Sequence, residues 1–549
     1  MDKQTLRRDT LRRLDALRNE RSPLMEDWRK ISSNILPHTG RFLTSERNRK
    51  LRRMNRVPDS SATRAVRTLT AGLMSGMTSP ARPWFKLATA DAELNKSHHV
   101  KLWLDEACRI IHAVFHKSGT YRALHTMYEE LALYGTAASV VTLDFQHVIH
   151  HTPLTAGEFF IATNWRGEVD TLYREFERTV AEVVGEFGRD AVSPMVRNQF
   201  DAGNLDAPVA LIHAIEPRLV RRSSSPFAQD MPWRSVYLEQ GSDTILRESG
   251  FRRFPALCPR WQVSGGDIYG TSPAMEAMGD VLQLQHEQLR KAEAIDYQIR
   301  PPLQVPITMK NREQDLLPGG IVYHDGSTPV QSIWQVQTDP SMLLEDIQDV
   351  RARIRYAFYA DLFLMVSQHD TRMTATEVAE RHEEKMLMIG PVLERLQNEL
   401  IMPLVDLTFD AVVSGGMLPP PPQELQGMDL DIELVSILAQ AQKAIQSNTI
   451  DRFVGQVANL AQLDITALDR LDVDALIDEY GDALGAPPAI IRPREKAEEI
   501  RAARAEAQAQ QQQQMQVAQV VDSAQKLGNT PMGQGSALDS ALEGLSGYN

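Results

Sequence analysis

Three histidines within five positions, His147, His150 and His151, come closer to a metal site than any other pattern in this sequence. Protein zinc sites use three or four converging ligands, each oriented by further hydrogen bonds. On an extended strand His147 and His151 would share one face, and His150 would point to the other. No cysteine or carboxylate stands nearby at a useful spacing, so we expect no metal to bind here.

Other short motifs also lack the residues that their chemistry requires. The chain contains no G-x-x-x-x-G-K-[ST] string, and the glycine-containing segment Ser264–Gly270 has no lysine to hold a phosphate. Arg381–Lys385 lacks the second histidine of a zinc-protease helix, and the acidic cluster at 469–474 lacks the glycine of a calcium loop. We therefore expect helix caps and solvated faces here, no cofactor and no enzymatic activity.

Composition places further bounds on function. The 549 residues are 42% hydrophobic and 24% charged, with a net charge of −13 and two cysteines, Cys108 and Cys258. Cys108 lies in an apolar helical stretch and is expected in the core; a bridge between the two cysteines stays open at this point. Proteins that grip DNA tightly are usually basic, so any contact with DNA should be loose. No stretch is apolar enough for a membrane span, so no membrane partner is expected.

The first 270 residues predict a mixture of helices and strands. A helical repeat of leucines covers 1–33, and Ser60 or Ser61 is placed to cap the next helix. Residues 1–60 contain 16 Lys or Arg against 8 Asp or Glu. The basic stretch 38–60 is therefore either a solvated loop or an arm for a partner or for DNA. Helices are expected at 99–117 and 120–134, and strands dominate from 135 to 262.

Two long helices of similar length follow. Ser272 and Pro273 begin the first, which runs to 300, and Pro340 begins the second, which runs to 365. The segment 303–337 between them has the turns and short strands of a small compact cap, so we expect an antiparallel pair. A polar loop comes next. A third long helix begins at a capping box at 374–377 and should kink near Gly390–Pro391.

These blocks, taken in order, resemble the portal family of short-tailed phages, also called head-to-tail connectors. Those that carry the resemblance are DTLRRLDALRNERSPLMEDWRKISSNILP at the start, RAVRTLTAGLMSGMTSPARPWFKL at 64–87, YGTAASVV at 134–141, GEFFIATNWRGEVDTLYREFERT at 157–179, YGTSPAMEAMGDVLQLQ at 269–285 and MTATEVAERHEEKMLMIGPVLERLQNELIMPLV at 373–405. The resemblance spans about 1–415; beyond 424 only position supports it.

The resemblance implies an α+β, mainly helical portal fold. Its parts would be a wing (1–270), a first stem helix (271–302), a small α/β clip (303–338), a second stem helix (339–365), a tunnel loop (366–374), a long kinked wing helix (375–416), a linker (417–428), a helical crown (429–493), a barrel helix (494–526) and a disordered tail (527–549). The alternatives are another virion structural protein, such as a tail or internal head protein, or a terminase or nuclease-type enzyme.

In function, the resemblance implies a ring of twelve copies at one capsid vertex that conducts double-stranded DNA during packaging and ejection. Implied partners are the large terminase subunit, tail adaptor and tail tube proteins, and major capsid and scaffolding proteins, in the virion and, during assembly, in the host cytoplasm. Double-stranded DNA would be contacted transiently and without sequence specificity.

Three sets of residues follow as candidates. The DNA-channel set is Arg290, Lys291, Arg300, Lys310 and Arg312. The tunnel-loop set is Phe363, Gln368, His369, Asp370 and Arg372. The docking set of the clip is Lys310, Arg312, Glu313, Asp315, His324 and Asp325. Apolar residues of the first long helix, Leu282, Leu284 and Leu289 among them, could pack either on a neighbouring copy or within one subunit, and the sequence alone leaves both possibilities open.

Overall fold

The computed structural model describes residues 3–42, 57–89, 91, 94–221, 227–299, 303–304, 331–332, 340–365, 389–425, 430–434, 453–460, 471–484, 490–492 and 494–528. They divide into two compact units. The first unit comprises Met1–Lys96 and Trp103–Arg452, and the second comprises Ser97–Leu102 and Phe453–Asn549.

Helices and strands are numbered in chain order. The helices are α1 (Lys3–Arg21), α2 (Leu24–Asn34), α3 (Ser61–Met77), α4 (His98–Lys117), α5 (Thr120–Tyr134), α6 (Val180–Phe187), α7 (Pro194–Asp201), α8 (Pro273–Glu276), α9 (Met278–Ile299), α10 (Pro340–Ala357), α11 (Ala360–Met365), α12 (389–396), α13 (Met402–Ser414), α14 (453–460), α15 (Val473–Leu484) and α16 (Arg494–Gly528). The strands are β1 (Phe85–Thr89), β2 (Ala138–Asp144), β3 (Val148–Leu154), β4 (Phe159–Thr163), β5 (Val169–Thr179), β6 (Pro208–Pro217), β7 (Trp233–Glu239), β8 (Ile245–Phe251), β9 (Ala256–Leu257), β10 (Leu303–Gln304), β11 (Gln331–Ser332) and β12 (Leu430–Leu434).

A five-stranded antiparallel sheet in the order β4-β5-β6-β7-β8 forms the largest β element of the first unit. Alternate residues of its strands point to opposite faces. One face, which includes Tyr173, packs against the leucines of α1, and the other, which includes Phe176, packs against α6 and α7. The predicted single helix over 1–33 is wrong in one respect. It divides at Ser22–Pro23, because proline has no N–H and disfavours helical geometry in the residue before it.

A second core lies among α2, α3, α5 and the three-stranded sheet β3-β2-β9. Trp28 is fully buried and makes edge contacts with Tyr134 and Tyr269 at centroid distances of 5.9 and 5.7 Å. Gly135 has a φ of 71°, and a Cβ there would lie 2.2 Å from the Gly270 carbonyl oxygen. That position therefore requires glycine, because both the backbone conformation and the close approach exclude a side chain.

The segment after the proline-rich linker departs from the all-helical prediction. Residues Leu430–Leu434 form β12, which pairs antiparallel with β1 in the register Phe85↔Leu434 to Thr89↔Leu430. The predicted helical crown at 429–493 therefore begins with a strand that returns to the N-terminal third of the chain. Its alternating Leu-Asp-Ile-Glu-Leu sequence is typical of a strand with one buried face.

Helix starts were predicted with mixed success. Ser272 Oγ accepts a hydrogen bond from the Met275 N–H at 3.0 Å and caps α8 as expected. Ser60 holds the N-cap position of α3 but makes no capping bond; instead, Asp59 Oδ1 accepts from the Ser61 N–H at 2.7 Å. Asp59 is in place to accept this bond because it also binds two helices that are distant in sequence. A local sequence motif cannot indicate such contacts.

The long helices are less continuous than predicted. The first is interrupted at Ala277, between α8 and α9. The second is interrupted at Phe358–Tyr359, where Tyr359 has a φ of 53°. The third contains a π-helical turn at Gln397–Ile401; Gly390–Pro391, where the kink was predicted, lies in α12.

The second unit is helical where it is described. Asp472 caps α15 by accepting from the Ala475 N–H at 2.9 Å, as predicted, whereas Asp474 forms an ion pair with Arg501 of α16 at 2.6 Å. Helix α16 is continuous for 35 residues and ends at Gly528, two residues beyond the predicted boundary. Across the described parts of the chain no helix is both long and apolar enough to cross a membrane. Helices and sheets together agree with the predicted α+β class.

Candidate functional site on the long helix pair

Helices α9 and α10 lie side by side and run in opposite directions, as the sequence predicts. Arg353 of α10 contacts Asp280 at 3.4 Å and donates to Gln283 Oε1 at 3.3 Å, near the start of α9. Further along α9, Glu287 meets Asp346, seven residues earlier in α10. Positions that rise along one helix meet positions that fall along the other, which defines an antiparallel pair. Burial and the neighbouring Asp346 carboxylate raise the pKa of Glu287.

A short antiparallel bridge closes the pair. Leu303 pairs with Ser332, and Gln304 pairs with Gln331. Residues 305–330 therefore leave and return at adjacent positions beyond the end of α9. The predicted docking residues all belong to this interval and lie outside the described residues; they are Lys310, Arg312, Glu313, Asp315, His324 and Asp325.

Two of the five predicted channel cations lie in the described chain. Arg290 is exposed and pairs with Glu293 one turn along α9 at 2.7 Å, and Lys291 is partly exposed beside it. Arg300, Lys310 and Arg312 lie outside the described residues. An exposed ion pair within one helix contributes little to stability, so Arg290 can exchange Glu293 for another anion at small cost.

Of the five predicted tunnel-loop residues, only Phe363 lies in the described part of the chain. Gln368, His369, Asp370 and Arg372 lie outside the described residues. Phe363, predicted in the loop, lies instead within α11 and packs on α3, where a Cβ on Gly72 would approach the Phe363 ring to 2.2 Å. Apolar residues such as Phe363 favour a packed helix over a polar loop, which explains why α11 extends to Met365.

We predict that Gly72→Ala lowers the free energy of unfolding of the α3–α11 contact by about 1–3 kcal/mol, because the new methyl group overlaps the Phe363 ring. Hydrogen exchange of the α3 and α11 amides measures this loss. Gly279→Ala is the matched control, since a Cβ there meets nothing within 4 Å and alanine favours helix by about 1 kcal/mol. Equal hydrogen exchange of the α3 and α11 amides in both variants would show that the packing of Phe363 on α3 does not require glycine at position 72.

Asp59 joins both long helices to the start of α3. Its Oδ2 accepts from Arg351 Nη2 at 2.6 Å and from Gln288 Nε2 at 3.0 Å. Its main-chain N–H donates to Gln285 Oε1 at 3.0 Å, and its carbonyl accepts from Gln285 Nε2 at 2.9 Å. The Asp59 side chain is 4% exposed. Sequence reasoning placed this residue at the end of a basic segment and missed it, because its partners on α9 and α10 are 226 or more positions away.

The carboxylate of Asp59 is held in its ionised form. Burial favours the neutral acid, but hydrogen bonds from Ser61 and the cation of Arg351 outweigh it, so the pKa of Asp59 lies below its ordinary value of 3.8. A charged group that is buried and fully bonded fixes the position of its partners. Asp59 therefore fixes the register of α9 against α10.

A second buried ion pair holds the kinked helix. Arg260 has a side chain 4% exposed and donates through Nη2 to Glu399 Oε1 at 2.6 Å and to the Gly167 carbonyl at 2.8 Å. Glu399 stands in the π turn, four residues before Pro403. Proline clashes with the carbonyl four residues earlier, and widening the helix by one residue relieves that clash. Glu399 lies within this widened turn, from which its carboxylate pairs with Arg260.

The histidine cluster does not adopt the predicted arrangement. His147 lies in the turn between β2 and β3, so it does not share a strand face with His151. His151 is buried and its Nε2 is 3.0 Å from Thr120 Oγ1. Burial lowers the pKa of His151 to about 4. Throughout the described ranges no three His, Cys, Asp or Glu side chains are grouped as metal ligands.

Both cysteines are free and buried, which closes the question of a bridge between them. Cys108 Sγ accepts a hydrogen bond from the Leu87 N–H at 3.2 Å, and burial raises its pKa to about 12. The core position predicted for Cys108 is confirmed. Burial likewise raises the pKa of the Cys258 thiol. Neither thiol is therefore activated as a nucleophile.

The apolar residues of α9 divide into two groups. Leu284 is fully buried inside the subunit. Leu282, Leu289 and Ile295 are 44%, 54% and 42% exposed. Leu282 and Leu289 are seven residues apart, which places them on one side of the helix, whereas Ile295, six residues further on, is rotated by about 120° around the helix axis. Leu282 and Leu289 form a short apolar stripe that packing within the subunit leaves in water.

Comparison with known proteins identifies the family. A family model described as "Bacteriophage head to tail connecting protein" matches residues 7–491. The chain is 51% identical over 554 residues to a probable portal protein of Bordetella phage BPP-1, with 100% of each chain covered. It is 43% identical over 535 residues to a portal protein of Salmonella phage epsilon15, with 96% of each covered.

Among solved structures, the neck of a native GTA particle computed with C12 symmetry matches 76% of this chain and 92% of that chain, at 10% identity and a TM-score of 0.36. A TM-score of that size does not establish a shared fold. The family assignment rests on the sequence matches, which extend over nearly the whole chain and concern structural proteins rather than enzymes. The chain belongs to the bacteriophage head to tail connecting proteins, the portal family.

Proposed function

We propose that this chain is one subunit of a twelve-membered ring at a single capsid vertex, and that the ring conducts double-stranded DNA during packaging and ejection. The observation that carries the proposal is the antiparallel pair α9–α10 with its exposed apolar stripe at Leu282 and Leu289. A ring needs one patch that packs on a different patch of the next copy. The stripe supplies apolar surface whose burial favours that contact.

The net negative charge favours a channel through which DNA slides, rather than a protein that binds DNA tightly. Twelve chains with a net charge of −13 carry about −156 in total. A negative lumen repels phosphates and prevents the tight, salt-sensitive binding that would stop DNA from sliding. The channel candidates Arg290, Lys291, Arg300, Lys310 and Arg312, with the loop residues His369 and Arg372, would centre the duplex by transient contacts.

The segment between the long helices is proposed as the docking element. The residues that flank 305–330 pair with each other between β10 and β11, so this interval is inserted at the end of the helix pair. It would bind the large terminase subunit during packaging and the tail adaptor and tail tube proteins afterwards. The wing would contact the major capsid and scaffolding proteins during assembly in the host cytoplasm, and the finished ring would reside in the virion.

Electron microscopy of the purified protein tests the ring, and Leu289→Glu tests its interface. Leu289 is 54% exposed, so the variant should fold with a loss below about 0.5 kcal/mol. Burying the new carboxylate between copies costs several kcal/mol, so ring assembly should fall by about tenfold or more. Leu219→Glu, at a 97% exposed site away from the helix pair, should assemble normally. Fibres or persistent monomers of the unaltered protein would contradict the proposal.

Replacing 305–330 by a short glycine linker should leave ring assembly intact and abolish binding of the large terminase subunit. The bridge residues 303–304 and 331–332 already lie side by side, so a short linker can join them without strain. Co-sedimentation of rings with terminase measures the loss. A deletion that abolishes the rings themselves would show that this segment belongs to the subunit interface.

A further inference from the structure

A polar cavity of about 330 Å³ opens beside the large sheet, at the edge of β5. Strand β4 begins at Phe159, opposite Arg174, so the rest of β5 continues without a β4 neighbour. The chain at Arg41 closes one side, where its N–H donates to the Ala156 carbonyl at 2.7 Å. Gly157 allows this approach, because a Cβ there would lie 1.8 Å from the Arg41 carbonyl oxygen.

Four arginines and four glutamates line this cavity, but most of them already have partners. Arg41 contacts Glu158 at 3.4 Å, and Arg178 forms an ion pair with Glu186. These two cations are therefore largely compensated within the subunit.

Two of the lining carboxylates are engaged as well. Glu175 forms an ion pair with Arg18 of α1. Glu182 accepts from the Thr179 N–H at 3.0 Å in the capping box of α6. Neither carboxylate is available to neutralise a further cation at full strength.

Arg174 and Arg21 are the cations that remain. Arg174 is 5% exposed, and its Nε has no hydrogen-bond partner within the described ranges. Its guanidinium lies over the Phe176 ring, 4.3 Å from the centroid. Arg21 is 7% exposed and donates through Nη1 to the Phe159 carbonyl at 2.6 Å, but its Nε is also unbonded. Burial lowers the pKa of Arg21, because the buried position disfavours the charged guanidinium.

Glu177 is the lining carboxylate that could oppose this charge, and its position makes it a weak counter-ion. It stands three residues after Arg174 on β5, so the two side chains leave opposite faces of the strand. It is also partly exposed, so water solvates it. A buried guanidinium without a counter-ion costs several kcal/mol, whereas a bound oxyanion would offset that cost by forked hydrogen bonds.

We propose that this cavity binds an oxyanion, with Arg174 as its principal ligand and Arg21 as a second lining cation from the α1 side of the sheet. Phosphate and carboxylate share the chemistry that a guanidinium recognises. The oxyanion is either free inorganic phosphate or the side-chain carboxylate of an adjacent copy of this acidic chain. The second source rests on the ring proposed above.

Calorimetric titration with inorganic phosphate, at constant ionic strength in potassium chloride, tests the free ion. Arg174→Met keeps the volume of the side chain and removes the cation, so phosphate affinity should fall by at least tenfold. Arg41→Met, at a cavity residue 41% exposed, should fold readily and weaken binding by less than Arg174→Met, because Arg41 is already paired with Glu158. Arg109→Met removes a surface cation 70% exposed on α4 and should leave affinity unchanged.

The concentration at which copies assemble tests the neighbouring carboxylate. If that group fills the cavity, assembled protein should not bind phosphate, and Arg174→Met should raise the assembly concentration by tenfold or more while Arg109→Met does not. The proposal is overturned if neither phosphate affinity nor assembly depends on Arg174. If the unaltered protein forms no ring, the proposed function fails, and the phosphate titration alone then decides whether the cavity is a site.

Discussion

Asp59→Ala is expected to loosen the α9–α10 pair by about 3 kcal/mol, or roughly a hundredfold in its opening equilibrium. The substitution removes the acceptor for Arg351, Gln288 and the Ser61 N–H at once. Gln288 and the start of α3 then lose charge-assisted bonds inside the protein, while Arg351, 40% exposed, regains water. Hydrogen exchange of the α9 and α10 amides measures the loss directly.

The matched control is Asp15→Ala, which removes an aspartate of α1 that is 68% exposed and paired with Arg18 one turn away. An exposed pair of this kind contributes about 0–1 kcal/mol, so exchange should hardly change. Asp59→Asn should lie between the two, because the amide keeps one acceptor but loses the charge. Exchange in Asp59→Ala that matches the control would mean that α9 and α10 hold together without this junction.

The contribution of Asp59 depends on pH in a fixed direction. Its pKa in the folded protein is lower than the ordinary 3.8, so the folded state favours the ionised carboxylate. The stabilisation is complete above the pKa of the unfolded chain and disappears as the pH falls through the folded value. The difference in exchange between the unaltered protein and Asp59→Ala should be constant above about pH 5 and shrink below 3.8. Comparing the two proteins cancels the opposite contribution of Glu287.

The helix pair could be predicted because its signals are local. Ser272 with Pro273 marks the start of the first helix, Pro340 marks the start of the second, and each run is long enough to bury one side. The breaks could not be predicted in the same way. Nothing near Tyr359 in sequence requires a left-handed residue, and the break lies where α11 turns to place Phe363 on Gly72. Tertiary packing overrides propensity at such points.

The candidate site shows the same division. Periodicity identified the apolar residues of α9 but left open whether they pack within one subunit or on a neighbouring copy; burial separates Leu284 from Leu289, at 0% and 54% exposure. The most constrained group, Asp59, was missed because its partners on α9 and α10 come from 226 to 292 positions away. The pairing of β12 with β1 was missed for the same reason. Long-range contacts leave no spacing in the sequence from which they could be recognised.

Glu399→Ala should be the most damaging single substitution in the kinked helix. It leaves the Arg260 guanidinium, 4% exposed, without its carboxylate, and breaking a buried pair from one side costs about 3–5 kcal/mol. The Arg260 bond to the Gly167 carbonyl remains, but a neutral acceptor does not compensate a buried charge. Thermal unfolding and hydrogen exchange over 397–414 and 256–262 should both report the loss.

Two further variants separate charge burial from the shape of the π turn. Asp410→Ala, on the same helix, removes a partner of the half-exposed Arg253 and should cost at most about 1 kcal/mol. The double variant Glu399→Leu with Arg260→Met replaces the buried pair by apolar groups of similar size and should recover most of the stability lost in Glu399→Ala. Failure to recover would mean that the Glu399 side chain itself stabilises the π turn, and that Pro403 alone does not impose the widened helix. Recovery would instead show that the π turn persists without the ion pair, and that Arg260 is what makes the carboxylate at position 399 necessary.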